Sequence, residues 1–76
     1  QVRTATINAA IAKEGGKEVL VKGEGYWYFY EGEAHKWPRT MVEVYRLNHY
    51  TLEQWVAIWR EYREAYRLRE ELHRPK

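Results

Sequence analysis

The chain has 76 residues, a net charge of +2 and no cysteine, so disulfide stapling is excluded and one modest core must hold the fold. It has no Ser and no Asp either, which excludes a Ser or Cys nucleophile and makes every acidic side chain a glutamate. Mixed signs at 32% charged residues read as a solvated surface with a mild basic bias, not as a dedicated nucleic-acid face.

No apolar run reaches the roughly 18 residues that a membrane span needs. No charged-then-apolar leader precedes a small-residue cleavage site, so a cytoplasmic protein without membrane contact is expected. A chain this small is marginal unless its core is dense or it self-associates. Four Trp, seven Tyr and one Phe supply the first option and leave apolar surface for the second.

Residues 4–14 predict a short helix with Ile7, Ala10 and Ile11 on one face and Thr4 or Thr6 as its cap. Gly15-Gly16 supplies a left-handed stop. Lys17 to Lys22 reads as a strand, and Gly23-Glu24-Gly25 as a three-residue or bulged hairpin link. Five consecutive aromatics follow, Tyr26-Trp27-Tyr28-Phe29-Tyr30. At the period of a strand, the three tyrosines face one side while Trp27 and Phe29 face the other. Residues 31–39 form a loop punctuated by Gly32 and Pro38. Residues 40–46 predict a third strand, with Val42 and Val44 on one face and Met41, Glu43 and Tyr45 on the opposite face.

The strongest signal opens the last element. Thr51 and Gln54 have capping-box spacing, and Tyr50 and Trp55 have hydrophobic-staple spacing. Leu52, Trp55, Val56, Trp59, Tyr62 and Tyr66 then form one apolar stripe. A helix over 52–73 would be about 33 Å long, so its Arg/Glu-rich second half should overhang a three-stranded sheet of five- or six-residue strands. Arg60–Glu64, Arg67–Glu71 and Glu70–Arg74 have the spacing of i,i+4 pairs. Ile58, Ala65 and Leu72 make a second, weaker stripe.

The expectation is a single α+β domain over residues 1–76, in the order α-β-β-β-α. A three-stranded antiparallel meander over 17–46 carries the short N-terminal and the long C-terminal helix on one face. The core should contain Ile7, Ile11, Val19, Val21, Trp27, Phe29, Val42, Val44, Leu52, Trp55, Val56 and Trp59.

Little in the chain points to catalysis. His35, His49 and His73 lack partners at metal spacing, and the alternating Glu31, Glu33 and His35 read as a polar loop. The glycines of 23–32 flank strands and do not open a helix, so they are no phosphate loop. A chain of this length rarely encloses a small-molecule pocket. No metal or cofactor is expected, and the reading is a non-enzymatic binding protein.

Helices on one face of the sheet would leave Tyr26, Tyr28 and Tyr30 uncovered, and an exposed aromatic patch marks an interface. The candidate contact residues are these three with Tyr45 and the helical Arg60, Arg63 and Arg67. The partner is another protein or a second copy of the chain, with a homodimer expected. The competing reading is a stacking platform for single-stranded nucleic acid, with Lys17, Lys22, Lys36 and Arg39 beside the aromatics and Arg60, Arg63, Arg67 and Arg74 as phosphate contacts. Against it, Glu18, Glu24, Glu31 and Glu43 would repel phosphates on the same sheet. A third reading is structural, with each face covered by one helix.

Gly25-Tyr26-Trp27-Tyr28-Phe29, Trp37, Val42-Glu43-Val44-Tyr45-Arg46-Leu47-Asn48 and Leu52-Glu53-Gln54-Trp55 together resemble a progression found in small uncharacterised proteins of bacteriophages and prophages. The resemblance spans residues 17–58. It implies a phage or mobile-element origin and brings no activity or site residues with it. Small phage proteins commonly bind and redirect a host macromolecule, which agrees with the interface reading.

Overall fold

The structure, a computed structural model, describes residues 2–73. Helix α1 spans Thr4–Lys13. Strands β1 (Val19–Lys22), β2 (Trp27–Tyr30) and β3 (Met41–Val42) follow, and α2 runs over Leu52–His73. Short 3-10 turns at Ala34–Lys36 and Leu47–His49 bridge the last connections. The strands form one antiparallel sheet in the order β1-β2-β3. The predicted α-β-β-β-α architecture is therefore the one observed, with both helices packed on one face of an open sheet.

Helix α1 starts without a side-chain cap, since Arg3 occupies the cap position and neither Thr4 nor Thr6 serves there. Its end follows the predicted glycine stop. Gly15 lies at φ +87°, and the Gly15 and Gly16 N–H groups donate to the carbonyls of Ala12 and Ile11, which is the Schellman arrangement. Helix α2 opens on the predicted capping box. The Thr51 N–H donates to Gln54 Oε1 at 2.9 Å, and the Gln54 N–H donates to Thr51 Oγ1 at 3.2 Å. Tyr50 packs edge-on against Trp55 with ring centroids 5.3 Å apart, completing the staple.

Two strand expectations fail, for identifiable reasons. The hairpin closes over two residues, Glu24 and Gly25, not three: beyond the strand ends the Gly23 N–H donates to the Tyr26 carbonyl at 2.8 Å. The register is accordingly Leu20 opposite Phe29 and Val21 opposite Tyr28. A one-residue change in register moves every side chain of a strand to the other face. Val19 and Val21, predicted for the core, are half-buried beside the tyrosines, while Glu18 and Leu20 are buried inside. The third strand is shorter than the predicted 40–46, because the Val44 N–H turns back onto the Val42 carbonyl and ends the ladder. Tyr45 thereby leaves the sheet.

One core joins the elements. Ile7, Ile11, Trp55 and Trp59 are fully buried, and Trp27, Phe29, Val42 and Val56 are nearly so, as expected from their periodicity. Leu20, Ala34, Trp37 and Tyr62 join them, while Val44 and Leu52 pack half-buried at the margin. Edge-on contacts link Trp27 to Trp55 and Phe29 to both Trp37 and Tyr62. These contacts place α2 on the Trp27/Phe29 face of the sheet.

Glu18 is the one buried charged side chain among the described residues. Its Oε1 accepts from the Trp59 indole at 2.9 Å and its Oε2 from the Glu33 N–H at 2.7 Å. The carboxylate thus ties β1 to α2 and to the turn that follows β2. It also explains Gly32, where a Cβ would collide with Glu18 Oε2.

The second half of α2 overhangs, as its length requires. Residues 67–73 are all exposed, Leu68 and Leu72 among them, and the molecule is 47 Å long. Neither Arg60–Glu64 nor Arg67–Glu71 forms among the described residues. Arg60 bonds Glu14 on α1 instead, and Arg67 lies 3.7 Å from Glu33. The Glu70–Arg74 pairing falls on Arg74, outside the described residues. No described helix is long and apolar enough to cross a membrane.

Candidate interaction face

The second face of the sheet carries the tyrosines. Val19 stands opposite Tyr30, Val21 opposite Tyr28, and Tyr28 opposite Met41. Tyr26 lies over Gly23 and contacts Tyr28 at 5.9 Å between centroids, and Tyr28 contacts Tyr30 edge-on at 6.4 Å. The result is a continuous aromatic stripe flanked by Val19, Val21 and Met41, with no charged side chain among these six residues. Tyr30 is 60% exposed, so the far end of the stripe is its most open part. The helices occupy the other face, so the arrangement with one helix on each side does not occur.

Side chains occupy the two edges of this sheet. The outward Leu20 N–H of β1 donates to Asn8 Oδ1 at 2.8 Å, and the outward Met41 carbonyl of β3 accepts from the Tyr62 hydroxyl at 2.7 Å. A side chain bonded to an outer strand makes that strand a poorer template for another.

The other expected contact residues lie elsewhere. Tyr45 is 74% exposed in the connection after β3, where its carbonyl accepts a 3.4 Å bond from the Trp27 indole. Arg60 makes a paired contact with Glu14, one arm at 2.8 Å. That bond holds the Glu14 carboxyl below its ordinary value and the Arg60 guanidinium above its own. Arg63 lies 4.3 Å above the Trp59 ring, a cation–π contact. Arg63 and Arg67 line a cavity of about 340 Å³ with Lys17, Glu18 and Glu33, and no tyrosine belongs to it. The tyrosines and arginines thus form two separate regions, not one surface.

The cations expected beside the aromatics are also dispersed. Lys17 lines the arginine cavity, Lys22 stands opposite Trp27, and Arg39 lies 5.3 Å over the Tyr62 ring. Lys36 borders Arg69 and His73 on the overhang. Glu18, expected among the repelling carboxylates of the sheet, is buried on the core side.

One feature had no signal in the sequence. Beyond Tyr28 the short β3 no longer covers β2, and a cavity of about 560 Å³ opens between the end of β2 and the Ala34–Lys36 turn. Tyr28, Tyr30, Glu31, His35 and Trp37 line it. The backbone at Glu31 is left-handed, φ +66°, so Glu31, Glu33 and His35 do not alternate along an extended strand. No cluster of three His or Glu side chains among the described residues could hold a metal ion.

No protein-family model, curated protein or solved structure matches this chain.

Proposed function

We propose that the chain is a small non-enzymatic binding protein whose contact surface is the open sheet face. The observation that carries this reading is the uncovered stripe of Tyr26, Tyr28 and Tyr30, uncharged and lying between two sheet edges that each hold one side-chain hydrogen bond. Burying apolar surface is the main driving force of association, and tyrosine is a frequent anchor. The accessible surface of 5745 Å² exceeds the roughly 5,000 Å² of a compact 9.3 kDa monomer by about 750 Å². An uncovered sheet and an overhanging helix both add to that surplus.

The occupant is another protein, a second copy of this chain included. The stacking reading for single-stranded nucleic acid needs cations along the aromatic path, and here the lysines and arginines line other regions. The arginine-rich side of α2 is a second, independent surface. Light scattering over a concentration series at low and high salt tests the proposal. A salt-insensitive dimer that Tyr28→Ser converts to monomer supports self-association through this face. If Tyr28→Ser alters neither the solution mass nor the binding of any purified partner, the face is not the contact surface.

A further inference from the structure

The cavity at the end of the tyrosine stripe has a chemistry of its own. Tyr28, Phe29, Tyr30 and Trp37 give it an aromatic lining, with Glu31 and His35 beside them. Among the described residues no basic side chain pairs with the Glu31 carboxylate. A carboxylate without a counter-charge among aromatic residues is complementary to a cation, which carboxylates and aromatic rings both attract.

The backbone supports a role for this glutamate. Glu31 is the only non-glycine residue at positive φ among the described residues. A left-handed conformation costs a side-chain-bearing residue about 1 kcal/mol, and glycine avoids that cost. Glycine at position 32 has a packing reason, the nearby Glu18 carboxylate. Position 31 has no comparable one: only its carbonyl is used, accepting from the Ala34 N–H, and any residue offers a carbonyl. A strained residue whose side chain the fold does not need, placed in a cavity wall, points to a ligand.

We propose that this cavity receives an arginine or lysine side chain of a protein partner, with Glu31 as the counter-charge and Tyr30 and Tyr28 as the ring faces. The partner residues next to that cation would lie along the tyrosine stripe, so the inference rests on the binding reading for its macromolecular partner. The cavity itself is testable without one.

Trp37 is a built-in reporter. The indoles of Trp27, Trp55 and Trp59 donate to the Tyr45 carbonyl, the Leu47 carbonyl and Glu18, whereas the buried Trp37 Nε1 has no acceptor among the described residues. The experiment is an NMR titration of the full chain with N-acetyl-arginine amide, with the neutral isostere N-acetyl-citrulline amide as control. Saturable shifts at the Trp37 indole and at the amides of residues 30, 31 and 35 are expected for arginine only. The dissociation constant should be on the order of millimolar for so small a probe. Glu31→Gln should weaken binding about tenfold, the loss of one charge-assisted contact. Tyr30→Leu should weaken it as well, and because Tyr30 is largely exposed the fold survives that change. Equal shifts with citrulline, or an affinity unchanged in Glu31→Gln and Tyr30→Leu, would overturn the proposal. Either failure leaves the Tyr28→Ser scattering result intact, so the two readings fail separately.

Discussion

Replacing Glu18 probes the least expected bond in the fold. The side chain is 5% exposed, and both carboxylate oxygens accept hydrogen bonds, from the Trp59 indole and the Glu33 N–H. A hydrogen bond to a charged group contributes about 1.5–3 kcal/mol, so Glu18→Ala removes roughly 3–6 kcal/mol of bonding. Relief of the carboxylate's own desolvation offsets part of this, leaving a net loss of about 3–4 kcal/mol. A chain of this length has a total stability of about 4–11 kcal/mol, so the variant should be marginal or unfolded. Glu18→Gln keeps one acceptor oxygen and turns an amide N–H₂ toward the other donor, so about half the loss is expected. The assay is urea unfolding at neutral pH, followed by tryptophan fluorescence and far-UV circular dichroism. Trp59→Phe combined with Glu18→Gln closes a mutant cycle, and the pair should couple by about 1 kcal/mol or more. A Glu18→Ala loss below about 1 kcal/mol with an unchanged denaturant slope would refute this reasoning: the carboxylate would then be a passenger at a buried site.

The register of β1 makes a paired prediction. Leu20→Ala should cost about 2–4 kcal/mol and the half-buried Val21→Ala clearly less, with equal losses showing the strand to be the other way up. The Tyr62 phenol gives an alkaline one. Burial holds it above its ordinary value, opposed by the nearby Arg39 and reinforced by Glu61, Tyr50 and Glu43. A raised folded value favours the neutral phenol, so its contribution is complete below about pH 10 and is lost as the pH rises through the folded value. The bond to the Met41 carbonyl goes with the proton. Urea midpoints of wild type and Tyr62→Phe should therefore converge as the pH rises above 10. A constant gap up to pH 11 would contradict this assignment.

The readable parts of this chain were those decided by neighbours in sequence. The capping box of Thr51 and Gln54, the Tyr50–Trp55 staple and the glycine stop of α1 are closed within a few residues, so spacing alone identifies them. The stripe of Trp55, Val56, Trp59 and Tyr62 and the alternation of the aromatic strand likewise depend only on helical and strand periods. Together they were enough for the architecture, and for placing Tyr26, Tyr28 and Tyr30 on the uncovered face.

Tertiary structure decided what local pattern left balanced. Lys17 to Lys22 offers two valines on one face and a glutamate with a leucine on the other, and apolarity alone favours burying the valines. The buried choice is Glu18 and Leu20, because the two-residue link imposes their register and because the carboxylate finds donors 15 and 41 residues away. The helical arginines follow the same logic. The spacing of Arg60 and Arg67 offers each an i,i+4 glutamate on the same exposed helix, worth only a few tenths of a kcal/mol. Glu14 and Glu33 lie within reach once the chain has folded, and Arg60 and Arg67 turn to them, whereas Arg63 stays over the Trp59 ring one turn away on its own helix. Periodicity states which face a side chain occupies; only the fold brings to that face the distant groups that make burial of a charge or the redirection of an arginine favourable.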